Sequence, residues 1–192
     1  MNALENFKTH LKPGQVYRRS DLEKWSRSVD RDVAGLVNEG VLVKVRQGLY
    51  QCPQRSRFGV LPASTDKLLT SFLKDDDYLL TSPNDYNALG LGTTQLYNYQ
   101  VVYNHKRHGR FELGGQIFEF QRKPRFPKKV TPEFLLVDLV NNLDQLAEDR
   151  VAILARVRAK VAQMDAGRLC VAVKRFAKVS TRKFFEAVAN AS

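Results

Sequence analysis

Arg31, Ala34, Gly35 and Asn38 share one side of a helix when residues 29–39 are turned at about 100° per residue, and Arg27 stands just ahead of them. Two long polar side chains flank two of the smallest residues. A helix that lies deep in a duplex groove needs this arrangement. Small residues allow close approach, and Arg and Asn reach base edges or phosphates. Ser28 stands with Arg27 at the helix entrance. Arg18, Arg19 and Ser20 open a shorter helix, where cations and orphan backbone N–H groups converge on a site suited to phosphate. Lys44, Arg46 and Gln47 cluster at a hairpin tip. These residue types bind a polyanion; they do not make or break bonds.

Groupings that catalyse or bind metal do not emerge from the sequence. His105 and His108 enclose Lys106 and Arg107, whose charge opposes a cation, and His10 is remote. Asp75, Asp76 and Asp77 form a solvated turn with no second ligand set beside it. There is no Gly-rich phosphate loop, nucleophile elbow or His-Glu-x-x-His. Gly90 and Gly92 are not followed by the paired acids a nucleotidyltransferase needs. Glu112 and Glu119 flank a hairpin without a base or nucleophile. A non-enzymatic protein is expected, with no cofactor and no metal.

The positioning elements follow from the local pattern. Leu4, Phe7 and Leu11 share a face of a helix over residues 2–11, and Pro13-Gly14 turns the chain into a short strand over residues 15–17. Ser20 with Glu23 three residues on reads as a capping box, opening a helix with Leu22 and Trp25 on its apolar side. Ser26 and Ser28 are both candidate caps for the next helix. Asp30 and Asp32 lie near its positive end. Val29, Val33, Leu36 and Val37 form its buried face, and Gly40 ends it as a left-handed cap. Strands over 41–45 and 49–51 surround Arg46-Gln47-Gly48 and make a wing. Helix, helix, wing is a winged helix-turn-helix.

The 192 residues carry a net charge of +11, which favours a polyanionic partner. Residues 1–57 hold eleven basic and six acidic side chains and are the densest in excess charge. Cys52 and Cys170 are far apart and are read as reduced thiols. No signal peptide opens the chain and no run of about 18 apolar residues occurs, so a cytoplasmic protein without membrane contact is expected.

The motifs Val29-Asp30-Arg31, Leu36-Val37-Asn38-Glu39-Gly40-Val41-Leu42 and Gly48-Leu49-Tyr50 resemble the N-terminal winged helix of the AbiEi antitoxin family. The order of the remaining chain is similar too. A linker over 53–62 carries Arg55 and Arg57, which either ride along the DNA backbone or are solvated linker charge, and leads to a helix from Ala63, with Leu68, Leu69, Phe72 and Leu73 buried. Tyr78-Leu79-Leu80-Thr81-Ser82 follows as a strand and cap, then a helix through Asn87-Ala88-Leu89-Gly90-Leu91, closed by Gly90 and Gly92. A strand over 97–104, a basic turn over 105–109, a hairpin around Gly114-Gly115 and an extended basic segment over 122–129 come next. Thr131-Pro132-Glu133 begins a helical end. Further helices are expected over 149–163 and 168–178, and then from a Ser180 cap.

The expected fold is therefore α+β: a winged helix-turn-helix over residues 1–57 and a larger mixed α/β domain over 58–192, mixed over 58–130 and helical over 131–192. The resemblance implies the antitoxin of a type IV toxin–antitoxin pair. Such a protein represses its own operon by binding operator duplex. It opposes a nucleotidyltransferase-like toxin without needing a tight complex with it. Arg168, Lys174, Arg175, Lys178, Arg182 and Lys183 form a second basic set, suited to a partner or to nucleic acid. Two other readings remain. One is a winged-helix transcription factor whose large domain senses a ligand or partner. The other is a nucleic-acid enzyme that uses the winged helix for docking.

Overall fold

The computed structural model describes residues 3–91, 93 and 95–190. Helical and strand elements mix throughout, with three small sheets, in an α+β arrangement. The chain divides into two compact units: Met1–Asp76 with Arg110–Ile117, and Asp77–Gly109 with Phe118–Ser192. Gly92 and Asn2, named above at element ends, lie outside the described residues.

The first unit begins with α1 (Ala3–Thr9), β1 (Val16–Arg18), α2 (Arg19–Leu22), α3 (Val29–Asn38), β2 (Val43–Arg46) and β3 (Leu49–Gln51). The strands form an antiparallel sheet in the order β1-β3-β2. Three helices and a three-stranded sheet with a β2–β3 hairpin constitute the winged-helix arrangement. One core holds it together. Phe7 of α1, Leu22 of α2, and Val29, Val33 and Leu36 of α3 are buried with Leu42 and Cys52. Removing a fully buried Leu or Phe side chain from such a core costs roughly 2–5 kcal/mol, and three of these, Phe7, Leu22 and Leu36, have no exposed surface. Trp25 does not extend α2. It sits in the following loop, stacked on His10 and edge-on to Tyr17.

The caps differ from those expected. α2 is capped by Arg18, not Ser20: the Arg18 N–H donates to the Asp21 carboxylate at 3.0 Å, and no side-chain oxygen caps the helix. Asp21 sits three residues after Arg18 and makes two further bonds to its guanidinium, which outcompetes the Ser20–Glu23 pairing. Ser28 occupies the N-cap of α3 without a side-chain bond. Its N–H donates to Ser26 Oγ at 3.0 Å, and Ser26 in turn donates to Asp32 at 2.5 Å. Gly40 takes a left-handed φ of 70° just past the α3 cap, as expected. The wing strand starts at Val43 rather than Val41, because the N–H groups of Val41 and Leu42 both turn back to Leu36 O.

Residues 53–62 are not a plain linker. β4 (Gln54–Ser56) and β5 (Gly59–Leu61) pair as a second hairpin. Next, α4 (Thr65–Leu73) runs along β1, tied by Lys67 Nζ donating to Gly14 O and Ser71 Oγ donating to Val16 O.

The remaining elements are β6 (Tyr78–Thr81), a 3-10 helix (Pro83–Leu89), β7 (Tyr99–Asn104), β8 (Gly109–Leu113), β9 (Gln116–Arg122), α5 (Pro132–Asn142), a second 3-10 helix (Leu143–Gln145), α6 (Arg150–Val161), α7 (Ala166–Phe176) and α8 (Val179–Asn190). The strands order as β6-β7-β9-β8. The segment after Ser82 is 3-10 rather than α, although the cap is where the sequence placed it: Ser82 accepts from Asn84 N–H and Asp85 reaches back to Ser82 N–H. Thr131 caps α5 by accepting from Phe134 N–H. Asp149 and Asp165 cap α6 and α7. Ser180 does not cap α8, which already begins at Val179. The second unit's core gathers Leu136, Val137 and Leu139 of α5 with Ile153, Val157, Leu169 and Phe185.

Candidate nucleic-acid interface

α3 presents the expected face. Val29, Val33 and Leu36 point into the core, so Arg31, Ala34 and Asn38 are exposed on the other side. The Arg31 side chain is 81% exposed and meets the neighbouring Asp32 at 3.4 Å. A Cβ added at Gly35 would meet nothing within 4 Å. The middle of the helix is therefore bare. Arg27 is exposed at its entrance and makes no ion pair among the described residues.

The acids of this segment are each committed to a local partner. Glu5 and Glu39 both bind Lys8 at 2.9 Å. Asp21 binds Arg18. Asp30 takes Arg19 through two bonds at 2.6 and 2.7 Å, and Glu23 meets the same guanidinium. Asp32 is held by Ser26. Electrostatics agree with this pairing. Asp30 and then Glu23 hold the Arg19 guanidinium above its already high range, and Arg19 pulls the Asp30 carboxyl below the usual carboxylate range. Burial pushes the Asp21 carboxyl up, but Arg18 outweighs it and the net shift is down.

The pairing sorts the candidate residues. Arg18 is locked in a capping box and Arg19 is shared by two carboxylates, so neither guanidinium is open to a phosphate without breaking an ion pair. Arg46 turns away from the wing tip. Its guanidinium carbon lies 4.7 Å from the Phe111 ring centroid and 5.7 Å from that of Phe72, and the residue is half-buried. A bulge between Lys44 and Arg46 produces this, sending two nearby side chains to different surroundings. Lys44 and Gln47 stay exposed, as does Ser20. The open polar set is therefore Ser20, Arg27, Ser28, Arg31, Asn38, Lys44 and Gln47. The sequence missed Arg55 and Arg57 as organised residues. Both are exposed on the β4–β5 hairpin.

The second basic set lies on α7, α8 and the joint between them, and all six residues are exposed. Two are tied into the structure. Lys178 Nζ donates to Asn141 O at 2.6 Å, which closes the C-terminal end of α5, and Arg182 donates to Lys174 O at 3.3 Å. Beside them lies an apolar trough of about 250 Å³ lined by Leu169, Val173 and Phe185, with Cys170, Lys174 and Arg182 around it.

No constellation suited to metal appears among the described residues. His105 is paired with Asp77 at 3.3 Å and stacked on Phe126. The most enclosed polar cluster is in the second unit: the Tyr86 and Tyr103 hydroxyls donate to the Asp138 carboxylate at 2.7 and 2.8 Å, and Asn142 donates to Tyr103. Among the described helices, none is long and apolar enough to cross a membrane.

No protein-family model and no curated protein matches the chain. Among solved structures it is similar to the RV2827C protein from Mycobacterium tuberculosis, known from a crystal structure, at 15% identity, over 98% of this chain and 76% of that one, with a TM-score of 0.60. At that identity the likeness shows the fold alone.

Proposed function

We propose that this chain is a DNA-binding regulator that seats a duplex against α3. The observation that carries this is the α3 surface itself: an 81% exposed Arg31 and an exposed Asn38 flank a Gly35 with open space before it. Each surrounding acid has a local partner, Asp32 through Ser26 and a 3.4 Å contact with Arg31 itself, and Arg27 and Lys44 are exposed without an ion pair among the described residues. The test is anisotropy binding to the gene's own upstream DNA. Arg31→Ala or Asn38→Ala is expected to weaken binding by about 1–3 kcal/mol. Wild-type protein that binds upstream DNA no better than scrambled duplex would end the reading.

The finer proposal is that of an autorepressing antitoxin of a type IV pair. It rests on the resemblance of the α3 and wing motifs to AbiEi-like antitoxins. Charge reversal of Arg168, Arg175 and Lys183 tests whether the second basic set takes part, because these side chains are exposed and their loss leaves the core intact. Growth rescue of cells expressing a nucleotidyltransferase-like toxin is the readout. One observation favours the alternative of a ligand-sensing regulator: the apolar trough at α7 and α8, lined also by Lys174, Arg182 and Glu186. Operator release by an amphipathic carboxylate would favour that alternative.

A further inference from the structure

The Gln54–Leu61 hairpin is short and exposes apolar side chains. Gln54 pairs with Leu61, Arg55 with Val60, and Ser56 with Gly59, leaving Arg57 and Phe58 as the tip. Ser56 Oγ accepts the Phe58 N–H at 3.1 Å and donates to Gly59 O at 3.2 Å, so the tip is pinned. Gly59 has φ 115°, a backbone that a side chain would strain. Phe58 is 84% exposed and Val60 is 57% exposed. The Arg57 guanidinium carbon lies 4.6 Å from the Phe58 ring centroid.

The hairpin is also fixed in place within its unit. Gln51 Nε2 of the wing strand β3 donates to Leu61 O at 3.2 Å. At the other side, a Cβ on Gly40 would come within 3.9 Å of Arg55 Nη2, so this guanidinium sits beside the carbonyl end of α3. The finger thus stands next to the end of α3 that carries Asn38. Charge is one-sided here. From Glu39 to Asp66 the chain has no acidic residue in between, and it carries Lys44, Arg46, Arg55 and Arg57.

An aromatic ring held in water with Arg57 against it, on a hairpin whose two guanidinium groups make no ion pair among the described residues, fits a polyanion that also offers flat apolar surface. Duplex DNA is such a partner: phosphates line its edge, and base steps open to apolar wedges, most readily at pyrimidine–purine steps. We propose that the hairpin is a second DNA-contacting finger, with Phe58 wedged at a flexible base step and Arg55 and Arg57 on the flanking phosphates. This rests on the reading of α3 as a DNA-binding helix. The finger extends that contact past the end of α3 and bends the duplex.

The full chain is titrated into an A·T-rich duplex from its upstream DNA carrying 2-aminopurine at TpA steps, with anisotropy and 2-aminopurine fluorescence read together. Wild type is expected to bind and to raise the fluorescence as the probe unstacks. Phe58→Ala, which alters an exposed side chain, is expected to bind about tenfold more weakly and to lose the rise. Arg57→Gln is expected to flatten the salt dependence by about one unit. Arg31→Ala serves as the reference for α3. If Arg31→Ala loses affinity while Phe58→Ala matches wild type in both signals, the finger is overturned and the α3 reading stands. If wild type binds no duplex, both fall. If Phe58 and the arginines are needed instead for binding phosphatidylserine vesicles and not the duplex, the finger belongs to a membrane surface and the proposal is overturned.

Discussion

The Arg46 guanidinium carbon lies 4.7 Å from the centroid of the Phe111 ring. Phe111 in turn meets Phe72 edge-on, at 5.2 Å between centroids. A residue that by position belongs to the wing therefore forms part of a cation–π cluster that joins the wing to α4 and to the 110–117 segment of the same unit. Arg46→Ala is expected to lower stability by about 1 kcal/mol. It is expected to leave the salt slope of duplex binding unchanged, whereas Lys44→Ala removes about one unit from that slope. Urea unfolding and a salt series on the two variants separate the roles. A slope equally reduced in Arg46→Ala would return that residue to the interface.

What the sequence displays follows the range of the interaction. The faces of α3 are legible because three side chains, Val29, Val33 and Leu36, repeat at helical spacing over a few turns. Gly40 is legible because the position past a helix end calls for a left-handed backbone. The Arg46 cluster is not legible, since Phe72 and Phe111 are distant in sequence and nothing local marks their approach. The α2 cap departs from the sequence pattern for a different reason. Two cap patterns overlap there, and Asp21 adds two bonds to the Arg18 guanidinium that the Ser20–Glu23 spacing does not show. The second hairpin hides because Pro53 and Pro62 bracket a stretch with only weak alternation, which reads as a linker. The pattern therefore marks Arg55 and Arg57 as linker residues and does not show the hairpin that carries them.

The Asp138 cluster ties stability to pH. Burial holds the Asp138 carboxyl above the usual carboxylate range, and the Tyr86 and Tyr103 hydroxyls pull it partly back. A carboxyl raised on folding favours the native state while it is protonated. Its contribution is full below the unfolded pKa and is lost as pH rises through the folded value. Asp138→Asn removes that titration. The stability of wild type relative to Asp138→Asn is thus expected to grow as pH falls, measured by urea midpoints across an acid series. Tyr103→Phe removes one of the carboxylate's two tyrosine donors and is expected to cost about 1–3 kcal/mol at neutral pH. A pH-independent difference between wild type and Asp138→Asn would show that this carboxyl does not titrate in the acid range.

The two thiols are expected to differ in reactivity. Cys52 is buried in the winged-helix core, and burial pushes its thiol up. Cys170 is exposed on α7 beside the apolar trough. An aromatic disulfide reagent should therefore modify Cys170 quickly in the native protein and reach Cys52 only on unfolding. Peptide mapping after a timed exposure identifies the site. Equal native rates would mean that the first unit opens readily. The same reagent gives a ligand assay, since an occupant of the trough would slow Cys170 alone.

Gly35 separates folding from binding most sharply. It lies mid-helix, outside the left-handed region, with nothing within 4 Å of an added Cβ. The fold has no use for a glycine there, and glycine in a helix interior costs about 0.5–1 kcal/mol relative to Ala. Gly35→Ala is therefore expected to raise the melting temperature. Gly35→Gln is also expected to fold, because Gln is a good helix former and the space is open. If α3 lies close in a groove, the longer side chain fills the gap between Arg31 and Asn38 and holds the backbone off the bases. Duplex affinity should then fall steeply in Gly35→Gln, with thermal stability kept. A Gly35→Gln protein that is stable and binds upstream DNA as wild type does would show that the bare middle of α3 makes no close approach, and would move the search for the interface elsewhere on the chain.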